Sequence, residues 1–178
     1  MLDPMRLRVA GFAVTAAGAL VAGIGTSFVW TSTGLRQDAS GVLDIEFRGL
    51  DLVEGKVALV VAGATLLVLA LVRRLHRSGR TRGAIGLLVA GAVLVAMPLW
   101  VALQADGRAL AEVATVVADA RGLTIEEATD LVRADPALTV FAETSGVWFS
   151  IAGGLLVVLG AGITLAWARR SEQAAVEP

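Results

Sequence analysis

The stretch 9-VAGFAVTAAGALVAGIGTSFVW-30 holds 22 residues without a charge. About 20 apolar residues wound as a helix cross the roughly 30 Å hydrocarbon core of a bilayer, so it reads as a membrane span. Within it Gly11, Thr15, Ala19, Gly23 and Ser27 recur at every fourth position, flanked by a second run at Gly18, Ala22 and Thr26. Lipid tails are as apolar as leucine, so membrane helices associate through close backbone approach, which small residues at this spacing permit. The helix is expected to have one nearly flat face and to be the one against which the other spans pack.

Three further spans follow, at 57–72, 83–104 and 144–168, of 16, 22 and 25 uncharged residues. Lys56 and Arg73 bound the shortest, and their aliphatic stems can snorkel to the interfaces. Pro98 removes one backbone donor from the third, where a kink is expected near the outer end. Gly146, Ser150, Gly154 and Gly162 give the fourth span a small-residue stripe, a second candidate contact face. Trp30, Trp100, Trp148 and Trp167 lie near span ends, where an amphipathic indole favours the headgroup zone. With 56% hydrophobic residues and a mean hydropathy of +0.76, the chain is expected to be all-α and integral to the membrane. The fold class is a single membrane domain, a four-transmembrane-helix bundle. Arg6 and Arg8 before an apolar run resemble a secretory leader, but the first span outruns a usual leader's apolar region.

The loops set orientation. Residues before 9, the loop 73–82 and the residues after 168 carry nine Lys and Arg against three acids, a balance of +6. The loops 31–56 and 105–143 carry six basic residues against 13 acidic ones, or −7. Positive-inside asymmetry therefore predicts cytoplasmic N- and C-termini and two acidic outer loops. Topology accounts for the arginine-rich loop without nucleic acid, and its one histidine, His76, reads as a solvated loop residue.

In the first outer loop, Leu43, Ile45 and Phe47 alternate with Asp44, Glu46 and Arg48, the pattern of a half-buried strand. The turn residues 38–41 precede it, so Thr33 to Arg36 form the other arm of a short β-hairpin that caps the spans. The second outer loop reads as a helical lid. Leu110, Val113, Ala114, Val117 and Ala120 share one helical face, with Gly122 as C-terminal cap. Thr124 and Glu127 form a capping box that starts a second helix bearing Ile125, Ala128, Leu131 and Val132, which Asp135-Pro136 ends. Glu126, Glu127 and Asp130 cluster on it; neighbours in one helical turn cannot surround an ion, so they read as a solvated acidic face.

The spans contain no Asp, Glu, Lys, Arg or His, which argues against ion-coupled transport and proton pumping. Cysteine is absent, so disulfides and thiolate metal sites are excluded. Gly153-Gly154, Gly160 and Gly162 lie in an apolar span with no strand before them and no Lys-Ser/Thr after, so they are not a phosphate loop. Serines on the outer side have no histidine base. No catalytic, cofactor-binding or metal-binding residue is assigned, and no enzyme activity is expected.

Trp30 leading into Thr33-Gly34, Gly49-Leu50-Asp51 with Glu54-Gly55 at the second span, and Ser145-Gly146-Val147-Trp148 at the glycine-rich fourth resemble small four-span bacterial membrane proteins of the actinobacterial type. The resemblance implies a topology in the bacterial cell membrane and no reaction. The expected function is that of a structural or accessory protein surrounded by membrane lipid, which binds another membrane protein or its own copies. Its candidate surface is Glu126, Glu127, Asp130 and Leu131. The alternative is a small-molecule or lipid-handling protein with a site between outer loops and span mouths, which a closed pocket lined by Trp30, Trp100 and Trp148 would favour.

Overall fold

The computed structural model describes residues 4–37, 40–72, 77–135, 138–144 and 146–173. The element order is α1 (Pro4–Gly25), β1 (Val29–Gln37), β2 (Ser40–Arg48), a 3-10 turn (Gly49–Asp51), α2 (Val53–Val72), α3 (Arg77–Arg121), α4 (Ile125–Ala134), β3 (Leu138–Glu143) and α5 (Val147–Gln173). Among the described residues, four helices are long and apolar enough to cross a membrane: Met5–Gly25, Val53–Val72, Gly79–Arg121 and Val147–Ser171. The expected hairpin is present as β1 and β2. Its turn residues Asp38 and Ala39 lie outside the described residues, as does His76.

Two boundaries differ from the sequence reading. The first helix stops at Gly25, and Val29 and Trp30 already belong to β1. The last turn closes with tightened bonds, Thr26 N to Gly23 O at 3.2 Å and Ser27 N to Ile24 O at 2.9 Å, and Thr26 Oγ1 also donates to Gly23 O at 2.7 Å. The β-branched and aromatic run that follows then favours strand. The second difference is larger. The third span continues through Pro98 and on to Arg121 as a single helix of 45 residues, about 68 Å at 1.5 Å per residue. What was read as a separate first lid helix is the extension of that span. Asp106-Gly107 is turn chemistry, but the buried Ala105, Ala109 and Val113 on either side hold it helical.

The most intimate contact joins α1 to α5, which run antiparallel. A Cβ at Gly18 would lie 2.6 Å from Val157 N, one at Gly11 2.6 Å from Thr164 Oγ1, and one at Gly25 2.9 Å from Ser150 N. On α5, Gly153 and Gly160 have the same lack of room, against Gly18 O at 2.7 Å and Gly11 O at 2.8 Å. Gly11, Thr15, Gly18, Ala22 and Gly25 are therefore the seam of α1, and Ser150, Gly153, Val157, Gly160 and Thr164 that of α5. The spacing is alternately four and three rather than four throughout. Four-residue steps rotate about 40° each around a 3.6-residue helix, whereas seven-residue repeats drift only about 20°. The expected stripe accordingly winds off the seam: Gly11 and Thr15 lie in it, Ala19 is buried, Gly23 faces α2, where an added Cβ would lie 3.7 Å from Ala62 Cβ, and Ser27 is exposed.

The same drift divides the second stripe. Ser150 donates to Ala22 O across the seam at 3.3 Å, Gly154 faces α3, where an added Cβ would lie 2.9 Å from Val95 N, and a Cβ at Gly162 would meet nothing within 4 Å. With α1 on one side and α3 on the other, α5 is the most buried of the four long helices, and it takes the central place expected of α1. The two threonine hydroxyls in the seam stay local, Thr15 Oγ1 donating to Gly11 O at 2.8 Å and Thr164 Oγ1 to Gly160 O at 2.9 Å. These hydroxyls are satisfied within their own helices, as an apolar medium requires.

Candidate functional site

At one end of the long helices the chain builds a head from the three strands, α4 and the upper part of α3. A collar joins it to the helices. Trp30 is 0% exposed there, and its indole Nε1 donates to Gly25 O at 2.9 Å, taking up a carbonyl at the end of α1. Three glycines allow the close packing of the collar, and one of them, Gly49, lies against the indole itself. A Cβ at Gly49 would lie 2.7 Å from the Trp30 Nε1, one at Gly55 2.8 Å from Gly49 Cα, and one at Gly146 2.7 Å from Val29 C. Gly49 N also donates to Phe28 O at 3.0 Å and Leu50 N to Thr26 O at 3.0 Å, so the start of α2 is tied to the end of α1 by backbone alone. Trp30, Ala58, Val101 and Val147 bring one buried side chain each from β1, α2, α3 and α5 into the same core cluster.

Above the collar β1 is the central strand, antiparallel to β2 on one side and β3 on the other. Pairing such as Gly34 with Phe141 links residues more than 100 positions apart, and it turns the expected hairpin into a three-stranded sheet. The sheet leans on α3, where Thr33 Oγ1 donates to the Glu112 carboxylate at 3.1 Å. Gly122 ends α3 with φ +65°, and Leu123 N bonds back to Ala118 O at 3.0 Å, a Schellman closure. The chain then reverses through the capping box: Glu127 N donates to Thr124 Oγ1 at 3.3 Å and Thr124 N to Glu127 Oε2 at 2.9 Å. Ala128 and Val132, one helical turn apart, are buried against Ala114, Ala118 and Val113, with Val117, Leu110 and Val140 around them.

The candidate surface residues therefore separate by role. Glu126 and Asp130 are exposed on the same helix as Arg133, Leu131 is half-buried, and the residues docked on α3 are Ala128 and Val132. Glu127 is exposed but committed to the cap. Backbone and hydroxyl hydrogen bonds from Thr124 hold its carboxyl below the ordinary carboxylate value. A lowered value means that the cap's ionic contribution is complete above the ordinary carboxylate range and is lost as pH falls through the depressed one.

Two features that the sequence reading missed lie between head and helices. Arg108, on the α3 extension, pairs with Glu54 at the start of α2 and also donates to Gln104 Oε1 at 3.2 Å. Beneath that pair, Val53, Glu54, Val57, Ala96, Met97 and Trp100 line an open groove of about 500 Å³ between α2 and α3. Trp30, Trp100 and Trp148 do not line a closed pocket together: Trp30 fills the collar, whereas Trp100 and Trp148 are 54% and 56% exposed on α3 and α5. No protein-family model matches the chain, and no curated protein matches it.

A sequence signal existed for one of the missed features. Once α3 is known to run unbroken, Gln104 and Arg108 are four apart on one face, in reach of the first turn of α2. The groove has no local signature, since its walls are ordinary apolar residues from two helices.

Proposed function

We propose that this is a structural or accessory protein of the bacterial cell membrane: a four-helix membrane bundle with both termini in the cytoplasm, holding its head on the outer side to bind another membrane protein or a second copy of itself. The observation that supports this most is the attachment of the head. About 17 residues of α3 beyond the apolar stretch, some 25 Å of helix, form its spine. The head is further fixed to α2 by the Glu54–Arg108 pair and to α1 by the collar. A head held at several points can present Glu126, Asp130 and Arg133 in one orientation, and prior ordering lowers the entropic cost of association. Charges on such a rim act mainly through encounter rate and register.

Orientation is tested by single cysteines, which the cysteine-free chain permits without background. Asp119→Cys, exposed on the head, is expected to react with an impermeant maleimide in intact cells, and Arg77→Cys only after lysis. Protection of position 119 in intact cells would overturn the orientation. For recognition, the double variant Glu126→Lys with Asp130→Lys is expected to leave thermal stability within about 1 kcal/mol of the parent, as solvated charges contribute little. The same variant is expected to lose material that co-purifies with the parent in mild detergent.

The groove favours a second reading, a small-molecule or lipid-handling protein. Its volume of about 500 Å³ lies within the range of about 300–1,000 Å³ typical of ligand sites. Ala96→Phe would fill it; loss of a bound apolar molecule from folded protein would support this reading over the first.

A further inference from the structure

The groove between α2 and α3 lies at the end of these helices nearer the head. At the opposite end the two pack closely: a Cβ at Gly83 would strike the Val72 side chain, and Leu69 and Leu87 share one buried cluster. Toward the head a gap of about 500 Å³ opens instead, walled by Val53, Val57, Ala96, Met97 and Trp100. All five belong to helices apolar enough to cross a membrane, so the groove opens sideways at the depth of their apolar runs. Its upper rim is the Glu54–Arg108 pair, whose side chains stay partly exposed, at 19% and 32%.

We propose that this groove holds one acyl chain of a zwitterionic phospholipid from the leaflet on the head's side, with the headgroup lying across the Glu54–Arg108 pair. The inference rests on the second reading above, that the groove is a ligand site, and adds the class of ligand. An apolar wall does not choose among phospholipids, because their chains are alike and a chain entering the groove exchanges one apolar setting for another. The choice falls to the rim. The ion pair is neutral as a whole but presents an anion and a cation side by side. A phosphate beside Arg108 and an ammonium beside Glu54 match it charge for charge, with the pair itself left intact. An anionic headgroup has no positive charge to offer Glu54 and is repelled there, and such like-charge contacts are what exclude a wrong partner. The two loops at this end of the helices add to that repulsion, with their balance of −7.

The test uses the full-length protein in neutral detergent, titrated with phosphatidylethanolamine, phosphatidylglycerol or diacylglycerol of the same chains. Binding is read by native mass spectrometry, and melting temperature reports folding. The parent is expected to hold phosphatidylethanolamine about tenfold more tightly than either of the others, the difference that a hydrogen bond to a charged group usually makes. Soluble phosphoethanolamine, which has the headgroup and no chains, is expected not to displace it. Glu54→Gln leaves Arg108 as a lone cation and is expected to reverse the order, so that phosphatidylglycerol binds better than phosphatidylethanolamine. The exchange variant, Glu54→Arg with Arg108→Glu, rebuilds a neutral pair and is expected to keep the parent's order; it serves where Glu54→Gln loses its melting transition. Ala96→Phe, which fills the groove, is expected to fold and to lose all three probes. If folded Ala96→Phe binds the lipids as the parent does, the groove is no ligand site and the reading beneath the proposal falls. If Ala96→Phe loses them but the parent shows no preference for phosphatidylethanolamine, the groove stands as a site and the headgroup assignment is overturned. A Glu54→Gln order unchanged from the parent's, or an exchange variant that reverses it, overturns that assignment equally.

Discussion

Trp30→Ala is expected to lower stability by about 3–5 kcal/mol, the range for removing a buried tryptophan. Trp30 is wholly enclosed, packs on Gly49 and caps the Gly25 carbonyl through its indole. Truncation would open a cavity where α1, α2, α3, α5 and the sheet come together, and would leave that carbonyl in an apolar setting. Trp30→Phe restores part of the volume but no donor, so it is expected to lie between. Trp100→Ala, on an exposed wall of the groove, is the comparison, and it is expected to cost far less. The measurement is denaturant or thermal unfolding in detergent; equal losses at positions 30 and 100 would show that the collar does not join head to helices.

The second large effect comes from adding a single methyl group. A Cβ at Gly55 or Gly146 would strike backbone of the 3-10 turn or of β1, and one at Gly18 would lie 2.6 Å from Val157 N. Backbone cannot swing aside as a long side chain can. Gly55→Ala, Gly146→Ala and Gly18→Ala are each expected to destabilise by about 3 kcal/mol, the upper part of the usual range for overpacking. Gly63, Gly86, Gly107 and Gly162 have nothing within 4 Å of an added Cβ. Alanine there is expected to be neutral or to stabilise by up to about 1 kcal/mol through helix propensity. Gly23 belongs with this second group, its neighbours being at ordinary contact distance of 3.7 Å. A stability ranking that mixed the two groups would contradict the seam and the collar together.

These contrasts also show what could be read from sequence. The long helices were legible because an uncharged run of 16 or more residues is a strong local signal. Gly122 and the Thr124/Glu127 box were legible for the same reason, each being complete within a few residues. The strand β3 was not: Leu138–Glu143 is short, and what makes it a strand is pairing with β1 from the far side of the chain. The continuity of α3 beyond Gln104 was not legible either, because the charged residues that follow end the apolar run, and it is the burial of Ala105, Ala109 and Val113 in the fold that keeps them helical. The small-residue stripes were correct in kind but wrong in phase, since spacing in sequence does not say which neighbour a slowly rotating face will meet. That Trp30, near the end of the first apolar run, would be wholly buried was not legible, because its enclosure comes from residues of α2, α3 and α5 distant in sequence.

The proposed role of the head is tested most directly by a photo-cross-linking residue placed at Asp130, on the exposed side of α4, and in parallel at Leu159, exposed on α5. Both variants would be illuminated in native membranes and resolved by mass. If the head is the recognition unit, position 130 gives a discrete adduct, either of twice the chain's mass or with one other protein, and Glu126→Lys in the same chain weakens it. A discrete adduct from position 159 with none from position 130 would contradict that role and move recognition to the membrane-facing sides of the helices.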